Sequence, residues 1–430
     1  MSADVFENLR RRTAPGAAIA AKLAGAGATE ERAEGATVVL SDSRKVLDFG
    51  AYGVTLLGHR HPAVTAAVRT QLDLLTTSTR VLANSTTVSF MEELMERFGA
   101  PLERVWLGSD GADAVEVAIK LARRSSGRMR VLAVEHGFHG KTLGALALTW
   151  NPAFRQGLEP LLQHVTHINR DDPDGVAREV AAGDVAALIF EPVQGEGGAR
   201  PLDPALLRRW TRDAHAAGVF VISDEVQAGL RRCGPLCIAA DAGIEVDAVL
   251  LGKALGGGVM PISALLASDE LYEPLRSDPT FHTATFGGHP LACAAGRAAL
   301  SANDDLELRA IETGARLASA LQELAEAYPT AVSAIHGTGL MYGLEFNTAA
   351  QAGNVLVDLA QAGLLLSPCL SAPRTIRLLP PMVTTEPQLQ LAIDLLHTAL
   401  AQLADLPVED AIQTPGVQPC AVSLGEPEVR

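Results

Sequence analysis

Lys253 stands in the run Gly252-Lys253-Ala254-Leu255-Gly256-Gly257-Gly258, directly after the apolar stretch 248–251. Burying an ammonium is costly and drives its pKa down, so a lysine in such surroundings is unusual. An amine of that kind suits Schiff-base chemistry. The competing reading is a lysine whose stem lies along the surface with its head in water. A nucleotide phosphate loop does not fit, because no glycine stands five residues before Gly252 and no serine or threonine follows Lys253.

Three further stretches carry polar groups of the right kind. Asp224-Glu225-Val226 follows the apolar run 219–223. An acid there either caps the next element or serves a site. Ser109-Asp110-Gly111-Ala112-Asp113-Ala114 leads into a helical pattern. Free N–H groups at a helix start bind phosphate, although serine and aspartate are also ordinary caps. Glu191-Pro192-Val193-Gln194-Gly195-Glu196-Gly197-Gly198 places two glutamates in a glycine-rich loop, either as exposed charges or as site residues.

These motifs need elements to hold them. Between about 104 and 300, short apolar runs alternate with helical stretches. Strands are expected at 104–107, 130–134, 186–190, 219–223, 248–251 and 262–267, and helices at 112–124 and 204–217. That alternation predicts an α/β domain with a mainly parallel sheet. Ligands of such sheets sit beyond the C-terminal strand ends, where each motif falls. Residues 1–33 read as an N-terminal helix with Ala/Gly-rich flanks, and 38–49 as a hairpin around Ser41-Asp42-Ser43. Helices follow at 290–303 and 306–327. A smaller unit has strands near 341–346 and 375–378 and a last helix after Glu386. The division expected is an N-terminal segment 1–50 contributing to a small domain, a large domain 51–305, a C-terminal small domain 306–408 and a flexible tail 409–430.

Composition narrows the partners. Apolar residues make up 48% and charged residues 20% of the 430, which fits a globular enzyme. A net charge of −15 fits neither nucleic acid nor an anionic membrane surface. Five scattered cysteines argue against a disulfide framework, and Cys233 with Cys237 lacks a second ligand pair, so no metal is expected. The first residues show no signal peptide, and the Ala-rich run 17–28 is too short to span a bilayer. A cytoplasmic location follows as the expectation.

Taken in order along the chain, the motifs resemble those of the class III aminotransferases, the family of ornithine, acetylornithine and 4-aminobutyrate aminotransferases. Leu47-Asp48-Phe49 leads to Gly58-His59-Arg60-His61-Pro62, then Gly111-Ala112-Asp113-Ala114 and Phe138-His139-Gly140. The Glu191–Gly198 loop, Asp224-Glu225-Val226-Gln227-Ala228-Gly229 and Gly252-Lys253 follow. Thr285-Phe286-Gly287-Gly288-His289-Pro290 and Ile376-Arg377-Leu378-Leu379-Pro380-Pro381 close the series. The resemblance covers roughly residues 34–400. It implies a pyridoxal-5′-phosphate (PLP) enzyme of fold type I, with a seven-stranded sheet in a large domain and a smaller α+β domain.

The resemblance also implies roles. Lys253 matches the lysine that bonds PLP and moves a proton between the substrate carbon and C4′ of the cofactor. Asp224 matches the partner of the ring nitrogen. Val226 and Phe138 match the residues flanking the ring, and Gln227 the one near its 3′-oxygen. Gly111 and Ala112 match phosphate-binding N–H groups. His139 and Glu191 belong to the same cofactor set through their motifs. Thr285 matches a residue that reaches the phosphate of a neighbouring subunit, which implies a homodimer with shared sites. Arg377 matches a carboxylate-binding arginine, for which its planar fork suits it. Glu196 matches a glutamate that pairs with that arginine when an ω-amino substrate enters; the competing reading is a structural ion pair. Lys141 and Tyr52 fall at pocket positions.

The sequence departs from the family pattern at several places. Asp110 stands where serine is usual; a carboxylate there repels a phosphate, so its side chain is expected to point away from the cofactor. Asp113 replaces a glutamate. Lys141 replaces an arginine and offers charge without a planar fork. The stretch 47–59 is one residue shorter than usual, which bears on Tyr52. Arg231 stands for glycine and His289 for asparagine. The reaction expected is transfer of an amino group from an ornithine-like ω-amino donor to a 2-oxo acid such as 2-oxoglutarate. An amino sugar or another amine of secondary metabolism, a racemase, epimerase or aminomutase reaction, and a catalytically silent binding protein are the alternatives. The Arg377–Glu196 pair favours transamination over the isomerases, and intact Lys253 and Asp224 argue against the silent protein.

Overall fold

The computed structural model describes residues 5–404. A seven-stranded sheet forms its centre. In spatial order the strands are Arg104–Gly108, Ser263–Ala267, Ala248–Leu251, Phe220–Asp224, Val185–Phe190, Arg130–Val134 and Val165–Ile168. Ser263–Ala267 runs antiparallel to both its neighbours, and the remaining pairs are parallel. Val185–Phe190 is buried at every position, which is why its sequence, VAALIF, is a continuous apolar run rather than an alternating one. The helix Gly111–Ser126 covers the sheet with Val115, Val117, Ala118, Ile119 and Leu121.

Register places the chemistry. Asp224, the last residue of its strand, pairs with Leu250, and Ser223 pairs with Phe190. Glu191, Asp224 and Lys253 therefore leave neighbouring strands at the same C-terminal edge. The expected alternation of strands and helices is present. Val165–Ile168 was not expected as a strand; its sequence, VTHI, is half polar and it lies at the sheet edge.

The N-terminal segment differs from a single helix. It forms helices Val5–Arg12 and Pro15–Ala24 and then a strand, Glu30–Glu34. Ala26 and Gly27 at φ +49° and +86° turn the chain between them. The hairpin is formed by Thr37–Leu40 and Lys45–Asp48, and Lys45–Asp48 pairs in parallel with Leu364–Leu365. A second antiparallel sheet comprises Val332–Thr338, Met341–Phe346, Ala372–Leu378 and Ser367–Cys369. Its core includes Leu344, Phe346, Ile376 and Leu396, and Leu47 and Phe49 pack into the same cluster. The expected tail 409–430 lies outside the described residues. Among the described residues, no helix is long and apolar enough to cross a membrane.

Candidate active site

A cavity of about 170 Å³ opens at the C-terminal edge of the central sheet. Lys253, Asp224, Glu191, Glu196, Gln227 and His139 give it its polar lining, and Phe138, Val226, Gly111, Ala112 and Gly140 complete it. Ten residues expected at the site thus meet in one cavity. Gly140 joins them; its φ of +124° and the 2.7 Å that a Cβ would leave to Ala112 explain the glycine.

Lys253 leaves its strand at φ +43°, in a short helical turn, and its Nζ has no hydrogen-bond or ion-pair partner among the described residues. Burial lowers its pKa, against a raising effect of the Glu196 charge. At the cavity floor, His139 Nδ1 lies 2.7 Å from Asp224 Oδ2, and Asp224 Oδ1 accepts from Val226 N at 3.1 Å. Burial alone would lower the His139 pKa, but the bond to Asp224 and its charge outweigh it and raise the pKa. Glu191 accepts from Phe138 N at 2.8 Å and Gly195 N at 3.3 Å. Burial lifts its pKa to about 7.

Behind the cavity wall, Arg377 on Ala372–Leu378 is fully buried. Its Nη1 donates to Gln227 Oε1 at 3.0 Å, and its Nη2 lies 2.7 Å from Glu196 Oε1. That second contact is close but poorly aligned, so Nη2 and Nε make no hydrogen bond. Gln227 Nε2 also donates weakly to Glu196, at 3.4 Å. Burial raises the Glu196 pKa, but the Arg377 charge and the Leu370 N–H bond outweigh it, and the net direction is down. A Cβ on Gly195 would fall 1.5 Å from Gln227 Oε1, so this bridge requires glycine there. The Gly-rich loop signals close approach in the sequence, but not which side chain approaches.

Besides Arg377, three expected residues are not in the cavity lining. Tyr52 is 63% exposed. Ala51, Tyr52 and Gly53 all take left-handed φ (+42°, +51° and +77°), and this turn directs Tyr52 outward. Gly53, which the sequence did not single out, lies against the cavity: its Cβ would be 3.8 Å from both Gln227 Cγ and Lys253 Cδ. Lys141 is exposed and rests 4.0 Å above the Phe154 ring, which meets Phe138 edge-on. Thr285 is exposed, and its carbonyl accepts from Arg80 at 3.4 Å.

The departures resolve in part. Asp110 does not point away from the helix start: its Oδ1 accepts from Ala112 N at 2.8 Å and Asp113 N at 3.2 Å. A free carboxylate next to unpaired helix N–H groups turns onto them. Arg231 holds φ +66°, a conformation that favours glycine, and pairs with Glu307 and, at 3.2 Å, with Asp304. Nothing in the structure explains His289.

The donor set fits PLP. It offers an unpaired lysine amine, a buried carboxylate for a ring nitrogen and the apolar faces of Phe138 and Val226. A Cβ on Gly111 would lie 2.7 Å from Val226 Cγ1, so backbone lines that end of the cavity. A lysine just past one strand and an aspartate at the end of its parallel neighbour place the site of a PLP-dependent enzyme of fold type I. The sequence matches the family Aminotransferase class-III over residues 22–400. It is 34% identical to a putrescine aminotransferase of Pectobacterium atrosepticum over 374 residues, covering 84% of this chain and 80% of that protein. The structure is similar to ornithine aminotransferase from Toxoplasma gondii ME49 (TM-score 0.81, 30% identity, 88% and 91% of the two chains). It is also similar to an amine transaminase from an uncultivated Pseudomonas species in its PLP-bound form (TM-score 0.80, 28% identity, 87% and 95%). The chain belongs to the class III aminotransferases, enzymes that use PLP to move an amino group between small molecules.

Proposed function

We propose that this aminotransferase takes the amino group of a donor whose amine is remote from its carboxylate, as in ornithine, and passes it to a 2-oxo acid such as 2-oxoglutarate. The observation that carries this reading is the buried Arg377, held at once by Glu196 and Gln227 beside the cavity. With Glu196 on it, the guanidinium is masked for an ω-amine; with Glu196 withdrawn, its unbonded Nη2 and Nε receive the carboxylate of a 2-oxo acid.

PLP, when bound, supplies an electron sink for the carbon that bears the amine. Lys253 would bond the cofactor, and burial, which lowers its pKa, favours the uncharged amine that would carry the proton. Asp224, oriented by His139, would keep a proton on the ring nitrogen. Phe138 and Val226 would flank the ring, Gln227 would serve its 3′-oxygen, and Gly111 and Ala112 would offer N–H groups to the phosphate. Glu191 fixes the Phe138 backbone, and Lys141 would lend its charge to substrate binding. Thr285, exposed in one chain, would serve the phosphate of a second copy in a homodimer, and the exposed Tyr52 would reach the substrate.

A second reading is a donor amine with no carboxylate. It is favoured by Lys141, whose charge is engaged by the Phe154 ring, and by the similarity to a putrescine aminotransferase, since putrescine is a diamine. One experiment separates the readings. The holoenzyme is mixed with single donors without acceptor, and the visible cofactor band is followed. Bleaching by ornithine or lysine, and recovery on adding 2-oxoglutarate, is the expected result. Bleaching by putrescine or an amino sugar alone replaces the first reading with the second. No bleaching by any amine turns the assignment towards an isomerase.

A further inference from the structure

The start of the helix Gly111–Ser126 is crowded with acids. Asp110 Oδ1 accepts from Ala112 N at 2.8 Å and Asp113 N at 3.2 Å. Asp113 Oδ2 accepts from Ser109 N at 3.1 Å, and Glu116 Oε1 from Gly144 N and Ala145 N at 2.8 and 3.2 Å. Among the described residues, no lysine or arginine forms an ion pair with any of the three. A helix start attracts anions because its N–H groups point outward unpaired. Here the chain brings its own anion.

We propose that Asp110 competes with the cofactor phosphate for the Ala112 N–H, so that this enzyme grips the phosphate weakly and retains its cofactor chiefly through the bond to Lys253. The inference rests on the reading that places the phosphate at this helix start. One N–H shared between a carboxylate at 2.8 Å and a phosphate oxygen serves each of them less well than it serves one alone. Either Asp110 turns outward and the helix loses its cap, or two anions share one partial positive charge. Both routes subtract from phosphate binding. Asp110 is exposed, so the first route is open to it. The consequence falls on the aminated cofactor, which has no covalent bond to Lys253 and depends on the phosphate grip. A donor supplied without acceptor should therefore leave the cofactor loosely held, to be lost when the enzyme is then dialysed or gel-filtered.

The test uses the full-length apoenzyme and pyridoxamine 5′-phosphate, a probe that cannot bond to Lys253. Its dissociation constant is measured by fluorescence titration for the natural chain and for Asp110→Ser, which keeps a capping hydroxyl without the charge. The variant is expected to bind about tenfold more tightly, the scale of one charged hydrogen bond. Pyridoxamine without phosphate is expected to bind both proteins equally. If Asp110→Ser melts early, Asp110→Asn supplies the same comparison with the side-chain shape kept. Equal or weaker binding by a folded variant overturns the proposal, as does an equal gain for pyridoxamine. No binding of the phosphate probe by either protein overturns the cofactor placement itself, which separates the two failures.

Discussion

His139 Nδ1 approaches Asp224 Oδ2 to 2.7 Å, with both side chains buried at the cavity floor. His139 Nε2 has no hydrogen-bond partner among the described residues, so the ring's one strong contact orients the aspartate. Residues 85 apart in sequence meet here because their strands share one sheet edge. Asp224→Asn keeps the shape and removes the charge that is proposed to hold a proton on the ring nitrogen. The half-reaction rate should fall by roughly 10²–10⁴-fold, the range typical of a lost proton-positioning group. Stopped-flow absorbance checks it; a loss below fivefold would remove Asp224 from the chemistry.

Lys253→Met should abolish the covalent adduct that borohydride traps on the natural chain, as seen by mass spectrometry. The same change should leave the apoenzyme at least as heat-stable as before. It replaces an amine whose charged form burial disfavours, and that has no partner among the described residues, with an apolar chain of similar length. An adduct surviving on the variant would move the bond to another lysine.

Much of this site was legible because its parts are chain-local. The motifs at 111–112, 138–139, 191–196, 224–227 and 253 each follow a strand or open a helix, and parallel register then brings them together. What stayed hidden depends on three-dimensional company. The weakly apolar VTHI strand is an edge, which needs only one neighbour. Tyr52 turns outward through two non-glycine residues at positive φ, a choice that the sequence does not encode locally. Lys141 rests on Phe154, and Asp110 turns onto its own helix, because each takes the nearest complementary group. Charge type was readable at both positions, and direction was not.

Arg377→Ala should raise the Michaelis constant for 2-oxoglutarate far more than that for an uncharged amine. The variant should also be less stable, by about 3 kcal/mol, because it strands Glu196 in a buried site. Glu196→Gln separates the two effects. It leaves Arg377 unmasked, so glutamate should become a better donor relative to ornithine. Steady-state kinetics with both donors decides it, and an unchanged ratio argues for a purely structural ion pair.

Glu191 carries a pH signature. Its pKa lies near 7 in the fold against 4.5 for a free glutamate, raised by burial. The folded chain therefore binds the proton more tightly than the unfolded chain, and stability falls as pH rises from about 4.5 to 7. The difference corresponds to roughly 3 kcal/mol when fully expressed above pH 7. Glu191→Gln resembles the protonated form and should lack this loss. Melting curves of the two apoenzymes should converge near pH 5 and separate by pH 8, with the variant higher. Parallel curves across that window would mean that Glu191 stays ionised.

Arg231 offers a test of strain against pairing. At φ +66° any side chain costs about 1 kcal/mol relative to glycine, and the ion pairs to Glu307 and Asp304 offset that cost. Arg231→Ala loses the pairs and keeps the strain. Arg231→Gly loses the pairs and relieves it. The melting temperatures should therefore fall in the order natural chain, glycine variant, alanine variant. The same loop carries Arg232, whose Nη1 donates to the Leu340 and Pro380 carbonyls at 3.1 and 2.7 Å. Loosening it should also reach Gln227 and raise the Michaelis constant of the 2-oxo acid. A glycine variant less stable than the alanine variant would show that backbone freedom, not strain, governs this turn.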